Sequence, residues 1–141
     1  MNKNIKFHYF EGTASCFIEY NGITFCGEAH CHMDDKDFES ERTGLQIAEI
    51  RANIKVLQFR RDTEIKPQIK ILTHLLKNIQ NSGNHNPKAY ESIMIKKQLK
   101  ALQADLDEIN NIINDEKTYL KNYINQKDAL YNKLRAKQIN N

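Results

Sequence analysis

Two cysteines and two histidines stand close together in the first quarter of the chain, and both residue types can ligate zinc. Cys26, His30, Cys31 and His32 fall within seven residues. A structural zinc site needs four ligands, which usually come as two pairs on tight turns. The segment here alternates like a β-strand, which sends Cys31 and His32 to opposite faces. Ordinary buried thiols and imidazoles explain the cluster better, so we expect no metal site and no cofactor.

A polar turn in the middle of the chain is a candidate anion site. Asn86-Pro87 has the form of a helix start, with a side-chain oxygen at the N-cap and a proline at the first helical position. The first turn of a helix offers unpaired N–H groups and partial positive charge, which suit a phosphate. His85 and Tyr90 could stack on a base, and Lys88 could pair with a phosphate. A solvated loop with a good cap explains the same residues.

An arginine in the preceding segment is a second candidate for binding an anion. Arg51 stands between Ile50 and Ala52 on a largely apolar helical face. If it is buried, its guanidinium needs a partner. That partner could be a carboxylate of the same chain, such as Glu41 or Glu49, which would give Arg51 a structural role. It could also be a bound anion or a neighbouring subunit, which would give Arg51 a functional role.

Motifs of catalysis are missing from the sequence. There is no nucleophile elbow, no glycine-rich phosphate loop and no His-Glu-x-x-His helix. We therefore expect a binding protein and not an enzyme.

The elements that would position these residues begin with a long helix, predicted over residues 86–138. Its apolar positions alternate in steps of four and three, and only two positions of this seam are polar. The seam residues are Ile95, Leu99, Leu102, Leu106, Ile109, Ile113, Glu116, Leu120, Tyr123, Lys127, Leu130 and Leu134. This spacing is typical of a coiled coil. At about 75 Å, such a helix must pack along another helix, and uncovered ends of the seam favour self-association.

A first helix is predicted over residues 37–80, with two neighbouring apolar stripes that suggest contact with two neighbours. Pro67 cannot donate a backbone hydrogen bond, so we expect a kink near it. The short polar turn that follows returns the second helix antiparallel to the first.

The N-terminal part, residues 1–33, is predicted to form a small antiparallel sheet. Asn21-Gly22 between two apolar runs indicates a two-residue hairpin of type I′. Gly27 is expected to bend or end the third strand. The predicted fold class is therefore α+β: a small N-terminal sheet, then a long antiparallel helical hairpin, in a single oligomeric domain.

Composition excludes several function classes. The chain has 141 residues and a formal net charge of only +3, with acidic and basic residues interleaved, so we expect no nucleic-acid partner. No run of about 18 apolar residues is present, so we expect no membrane partner. The N-terminus lacks the apolar core of a signal peptide. The three cysteines are then expected to be reduced, and the protein cytoplasmic.

Several segments together resemble a known family. They are the run from Gly27 to Asp35, the run from Ser40 to Gly44, Ala48 with Arg51-Ala52, the run from Asn86 to Glu91, and the heptad helix. This pattern resembles the small phage proteins that form the first type of Thoeris anti-defence protein.

The resemblance implies a binding protein that acts as a sponge. Such proteins have an N-terminal sheet and C-terminal helices, and they assemble into homo-oligomers, for which a hexamer is plausible here. They sequester cyclic ADP-ribose-type immune signals, and some hold cyclic oligonucleotides, in the cytoplasm of the host cell and without cleaving the ligand. The family pocket uses arginine, an aromatic ring, asparagine and basic groups. The matching candidates by residue type are Arg51, Arg60, His85, Asn86, Lys88 and Tyr90.

Two other functions remain open at this point. The heptads alone suffice for a structural or adaptor coiled-coil protein. A third possibility is an inhibitor that binds a host protein such as a nuclease. A sponge requires arginine and polar side chains to converge near the sheet, the helix turn or a second subunit, whereas an adaptor leaves that region open and dry.

Overall fold

The computed structural model describes residues 4–30, 38–81 and 89–139 of the chain. It has an α+β fold, as predicted, with the strands first and the helices after them. The elements are β1 (Asn4–Phe10), β2 (Thr13–Tyr20), β3 (Ile23–His30), α1 (Phe38–Arg60), a π-helical turn (Arg61–Ile65), α2 (Lys66–Asn81) and α3 (Ala89–Ile139). The start predicted for the second helix, at residues 86–88, lies outside the described residues.

The chain divides into two compact units. The first unit combines Met1–Val56 with Asn114–Asn141, and the second unit is Leu57–Ile113. Helices α1 and α3 therefore contribute residues to both units. No helix within the described ranges is both long and apolar enough to span a membrane.

Two tight hairpins build the sheet of the first unit, whose described strands lie in the order β1-β2-β3, all antiparallel. Asn21 and Gly22 have φ of 51° and 76°, so the type I′ turn predicted there is confirmed. Glu11 and Gly12, with φ of 50° and 80°, form a second turn of the same kind. Gly and Asn tolerate these left-handed angles, which is why both turns carry one of them.

The core of the first unit lies between the sheet and α1. Cys16 and Ile18 of β2 are fully buried, as are Ala48 and Ala52 of α1. A β-carbon placed on Gly27 would collide with the main chain of both alanines. At Gly27, α1 therefore approaches β3 too closely for any side chain to fit between them. The strand does not end at Gly27, because β3 continues to His30.

Helix α3 packs antiparallel to α1 in the first unit. The Tyr123 hydroxyl donates to Gln46 Oε1 at 3.2 Å, and the Tyr131 hydroxyl donates to Thr43 Oγ1 at 3.4 Å. The later residue of α3 thus meets the earlier residue of α1. Lys127, a polar member of the predicted seam, holds its ammonium 5.6 Å from the centre of the Tyr123 ring, which accommodates its charge.

The predicted seam is the stripe of α3 that packs against the protein. Its members from Ile95 to Lys127 are all half-buried or buried, and Ile109 and Ile113 are only 5% and 2% exposed. The last two members, Leu130 and Leu134, are 42% and 47% exposed. The seam therefore reaches the surface at its C-terminal end.

A π-helical turn, Arg61–Ile65, lies directly before Pro67, where the sequence predicts a kink. The N–H of Lys66 bonds to the carbonyl five residues earlier. Pro67 has no N–H to donate, and the side chains of Thr63 and Gln68 donate to main-chain carbonyls four residues before them. These two side-chain hydrogen bonds add to the main-chain bonds around the turn.

In the second unit, one arginine connects this π-helical turn to α3. Arg61 donates to Asn110 Oδ1 at 3.2 Å and to Asp62 Oδ1 at 2.9 Å. The hydrogen bond from Arg61 keeps the pKa of the exposed Asp62 carboxyl below its usual value, and Lys66 at 3.4 Å adds to this effect.

Candidate functional site

Two cationic side chains of α1 lie along the outer edge of the sheet. Arg51 Nη1 donates to the carbonyl of Glu28 at 2.7 Å, and Lys55 Nζ donates to the carbonyl of Cys26 at 2.6 Å. The two cations are one helical turn apart on α1, and the two carbonyls are two residues apart on β3, so the spacings match. We call Arg51, Lys55 and the β3 segment beneath them the basic edge.

The hairpin turn explains why these carbonyls are available. In a two-residue hairpin, the residues that flank the turn, here Tyr20 and Ile23, exchange both backbone hydrogen bonds. Alternation along β3 then turns the carbonyls of Cys26 and Glu28 away from β2. Arg51 and Lys55 therefore cap edge carbonyls that would otherwise accept hydrogen bonds from water or from another strand.

Arg51 is exposed, in contrast to the buried position considered from the sequence. Its described partner is a main-chain carbonyl and not the carboxylate of Glu41 or Glu49, which was one of the alternatives left open by the sequence. This hydrogen bond uses one of the five N–H donors of the guanidinium. The bond orients the side chain while leaving it capable of further hydrogen bonds to an anion. Lys55, one turn further, was missed by sequence analysis, although its i,i+4 spacing from Arg51 was a usable signal.

Polar side chains of the sheet extend the basic edge. His30 Nε2 lies 3.9 Å from Glu28 Oε2, and its Nδ1 lies 3.1 Å from the Thr13 hydroxyl. The imidazole is exposed and held by both partners, so its ring is available for stacking. Among the described side chains at this edge, the two cations Arg51 and Lys55 face one carboxylate, that of Glu28, and this charge balance favours an anion.

The two thiols near this edge, Cys16 and Cys26, have raised pKa values and therefore low nucleophilicity. Burial raises the pKa of the Cys16 thiol to about 11, with further contributions from Glu49 and Cys26. Burial also raises the pKa of Cys26, and Glu28 adds to that rise while Lys55 opposes it. Both thiols are therefore protonated at neutral pH, and the nucleophilic thiolate is scarce.

Zinc ligation is the other chemistry considered for Cys26. Among the residues that the structure describes, no group of three or more His, Cys, Asp or Glu side chains is arranged to hold a metal ion. Cys31 and His32, two members of the cluster in the sequence, lie outside the described residues.

The state of Cys16 leads to a prediction about thiol labelling. In native protein at pH 8, we expect iodoacetamide to modify Cys16 about 100-fold more slowly than in denatured protein, because the pKa is raised by about two units above its usual 9.0. Site-resolved mass spectrometry measures both rates. Equal rates would contradict the buried, protonated thiol.

The same pKa shift has a consequence for stability. Because the thiol ionises near pH 9 in the unfolded chain and only near 11 in the folded one, the folded state loses stability as pH rises through this window. A Cys16→Ala variant should lack this part of the decline in a urea titration.

A groove of about 470 Å³ lies in the second unit, beside the π-helical turn. Five apolar side chains and four charged ones line it, together with one glutamine. The apolar residues are Leu57, Ile65, Leu102, Ile109 and Ile112, and the polar ones are Arg60, Glu64, Gln68, Asp105 and Glu108. Since one arginine meets three carboxylates, we call it the acidic groove.

A second cavity of about 450 Å³ continues the acidic groove along α2 and α3. The two share Gln68, Leu102 and Asp105, and the second adds the apolar side chains of Ile71 and Leu72. Together they form an elongated surface lined by apolar and acidic side chains.

Arg60, a candidate ligand-binding residue from the sequence, belongs to the acidic groove. Its Nε lies 3.8 Å from Glu64 Oε2, and Asp105 and Glu108 line the same groove. These carboxylates disfavour a phosphate at Arg60, because like charges repel and the guanidinium is already part of an ion pair.

The other predicted site residues lie in or near the second unit. Tyr90, near the start of α3, is 71% exposed. His85, Asn86 and Lys88 lie outside the described residues. Of the predicted set, Arg51 belongs to the first unit and Arg60 and Tyr90 to the second, so their convergence on one ligand remains a prediction.

Comparison with known proteins gives no further guide to this chemistry: no protein-family model, no curated protein and no solved structure matches the chain.

Proposed function

We propose that this protein is a phage anti-defence protein that binds a cyclic ADP-ribose-type immune signal at the basic edge and holds it uncleaved. The observation that carries the proposal is the pair of exposed cations, Arg51 and Lys55, each oriented by a β3 carbonyl. The α+β fold agrees with the architecture that the resemblance to the Thoeris anti-defence proteins implies.

The chemistry of the ligand fits this edge. A cyclic ADP-ribose carries two adjacent phosphates, and two cations one helical turn apart can each meet one of them. Arginine pairs with phosphate through two parallel hydrogen bonds, while lysine acts as a compact point charge. Because the carbonyl bonds already hold both side chains in place, less conformational entropy is lost on binding. His30 supports the proposal further, since its exposed ring could stack on a base.

The proposal is sequestration and not catalysis. The protonated Cys16 and Cys26 thiols make poor nucleophiles, which supports a site that leaves its ligand intact. A captured signal would not reach its effector in the cytoplasm of the host cell. Tyr90 and the turn residues His85, Asn86 and Lys88 remain predicted contacts, whereas the carboxylates around Arg60 argue against a phosphate there. Some relatives of the proposed kind also bind cyclic oligonucleotides, and the same phosphate chemistry would accept them.

A homo-oligomer is part of this proposal. The C-terminal end of the seam, where Leu130 and Leu134 are exposed, supports an assembly in which α3 packs against another subunit. The subunit number is proposed from the resemblance alone, with a hexamer as the plausible state.

The decisive test of the site is Arg51→Ala. Isothermal titration calorimetry with cyclic ADP-ribose isomers should show a loss of at least about thirtyfold in affinity, or about 2 kcal/mol, because a charged hydrogen-bonding group at the phosphates is removed. Arg42→Ala is the matched control, since Arg42 is also an exposed arginine of α1. Both Arg42→Ala and the further control Lys96→Ala on α3 should lose little ligand affinity. Equal losses in all three variants would place the site elsewhere.

Native mass spectrometry of the unmodified protein, with and without the same ligands, tests the function as a whole. We expect a defined oligomer that gains intact ligand, and denaturation should release the ligand unchanged. Hydrolysed ligand would indicate an enzyme. A protein that binds no cyclic ADP-ribose or cyclic oligonucleotide would contradict the sponge.

The acidic groove favours a second candidate function, an adaptor or a protein-binding inhibitor. Its apolar side chains and the carboxylates of Glu64, Asp105 and Glu108 suit a basic amphipathic helix of a partner protein. Nucleases carry basic surfaces where they bind nucleic acid, so a host nuclease is a chemically suitable partner. Replacing Asp105 and Glu108 by lysine should abolish such binding, while nucleotide affinity at the basic edge stays unchanged.

A further inference from the structure

The two edges of the sheet differ in how they are protected. At the β3 edge, Arg51 and Lys55 cap the outward carbonyls. At the other edge, Phe10 and Thr13 flank the hairpin turn and exchange both backbone hydrogen bonds, so every second residue of β1 bonds to β2. The main-chain N–H and C=O groups of Ile5 and Phe7 therefore point away from β2. Within the described part of the chain, β1 is the outermost strand and no side chain is described as capping these two residues.

Strand β1 also lacks the other features that usually prevent edge pairing. All of its 7 residues pair one-to-one with β2, so there is no bulge. It contains no proline, and Lys6 is its only permanently charged residue. Natural proteins normally protect edge strands with charges, prolines, bulges or a covering element. In the described part of the chain, β1 is therefore an edge strand with apolar side chains and no bulge or proline, and such an edge is suited to pairing with another strand.

The apolar face of the core continues onto this strand. Ile5 and Phe7 pair with Ile18 and Cys16, which are fully buried, and therefore share their face of the sheet. Ile5 and Phe7 are nevertheless 40% and 50% exposed. Because Gly27 draws α1 close to β3, the helix covers β2 and β3 better than β1. A neighbour at this edge would extend a core face that already exists.

We propose that β1 pairs antiparallel with β1 of a second copy of this chain, about a two-fold axis at Phe7. The pattern around Phe7 is symmetric, since Ile5-Lys6-Phe7-His8-Tyr9 alternates apolar and basic residues in both directions. A two-fold axis therefore places apolar side chains opposite apolar ones on the core side of the sheet. This self-complementarity is what an isologous dimer requires, and it selects a second copy over an unrelated strand.

The register of the proposed β1–β1 pair follows from the number of residues that can pair and from the charges that would face each other. An axis at Phe7 lets the whole strand from Asn4 to Phe10 take part, with Lys6 opposite His8 of the partner. An axis at Lys6 would set two lysines directly opposite each other, which destabilises a strand pair. The resulting sheet has six strands, and its two remaining edges are β3 edges capped by Arg51 and Lys55. This interface is independent of ligand binding and of the proposed contact at Leu130 and Leu134.

Analytical ultracentrifugation of the full chain tests the interface. Phe7→Lys puts two charges at the axis, so the dissociation constant of the assembly should rise at least 100-fold and its mass should fall, with far-UV circular dichroism unchanged. The matched control is Ile23→Lys, because Ile23 is 43% exposed and lies on the same face at the far side of the sheet. The control should assemble like the unmodified protein. An unchanged mass for Phe7→Lys, or a monomer at every concentration of unmodified protein, would overturn the proposal.

Cysteine cross-linking tests the register and does not depend on how Phe7→Lys folds. Residues at the axis lie about 5.5 Å apart between α-carbons, within reach of a disulfide, so Phe7→Cys should yield a covalent dimer on mild oxidation. The two copies of residue 5 would be about 13 Å apart, so Ile5→Cys should not. Peptide mapping identifies the linked residues. Cross-linking of Ile5→Cys as efficient as that of Phe7→Cys would overturn the two-fold pairing.

Discussion

Replacing Gly27 by alanine should destabilise the protein by at least about 3 kcal/mol, which lowers the melting temperature by about 10 °C. The added β-carbon would collide with the main chain of Ala48 and Ala52. A side chain in the way could rotate aside, but a helix backbone cannot. Helix α1 would have to move away from β3, and that movement would also weaken the bonds from Arg51 and Lys55 to the strand.

Gly22→Ala is the matched control for this prediction, because it makes the same chemical change at a site with nothing within 4 Å of the added atom. Its φ of +76° makes alanine unfavourable, so a loss of about 1–2 kcal/mol is expected from backbone strain alone. Urea unfolding measures both values. A loss at Gly27 no larger than that at Gly22 would mean that the helix accommodates the extra atom.

Patterns that depend on neighbouring residues were readable from the sequence. The seam of α3 follows from its 4-3 spacing, because an amphipathic helix of any fold must turn such a stripe inward. The turn at Asn21-Gly22 follows equally, since both residues tolerate the required φ. The α+β class then follows from the order of these elements. Each inference used only residues within a few positions of each other.

Features that depend on distant residues were not readable in this way. The role of Gly27 arises from Ala48 and Ala52, more than 20 positions later, and nothing local distinguishes it from a strand-breaking glycine. The partner of Arg51 is a main-chain carbonyl, which carries no signature in the sequence. The acidic groove joins the π-helical turn to α3, so its charge is visible only after these elements are brought together.

Arg51 links stability and proposed function at one residue. Its hydrogen bond to Glu28 closes an edge of the sheet, and the same guanidinium is the proposed phosphate ligand. Removing the Arg51 side chain should therefore weaken ligand binding. It should also leave the Glu28 carbonyl of β3 without its hydrogen-bond donor. The proposed dimer makes this more important, because a six-stranded sheet with uncapped edges could continue to add strands. The α1 cations thus also limit the assembly.

Ile113→Lys is expected to prevent folding. Ile113 is 2% exposed and is among the largest fully buried side chains of the described residues. An ammonium group there would lose its hydration, and an ion pair with Glu116, the one carboxylate of the described seam, does not offset the cost of burying the charge. The expected loss of about 4 kcal/mol or more approaches the total stability of an ordinary domain. Circular dichroism at 25 °C should show loss of helix, and urea titration should show a greatly reduced midpoint.

Leu134→Lys also replaces an apolar seam residue by lysine, but Leu134 is exposed whereas Ile113 is buried. Leu134 is 47% exposed, so its ammonium can stay hydrated and the fold should be retained within about 0.5 kcal/mol. If the exposed end of the seam contacts another subunit, however, sedimentation should show a smaller assembly for this variant. Intact folding with unchanged mass would remove Leu134 from the interface. A folded Ile113→Lys protein would show that the seam is not the packed stripe of α3, because a charge cannot replace a core isoleucine without a large loss of stability.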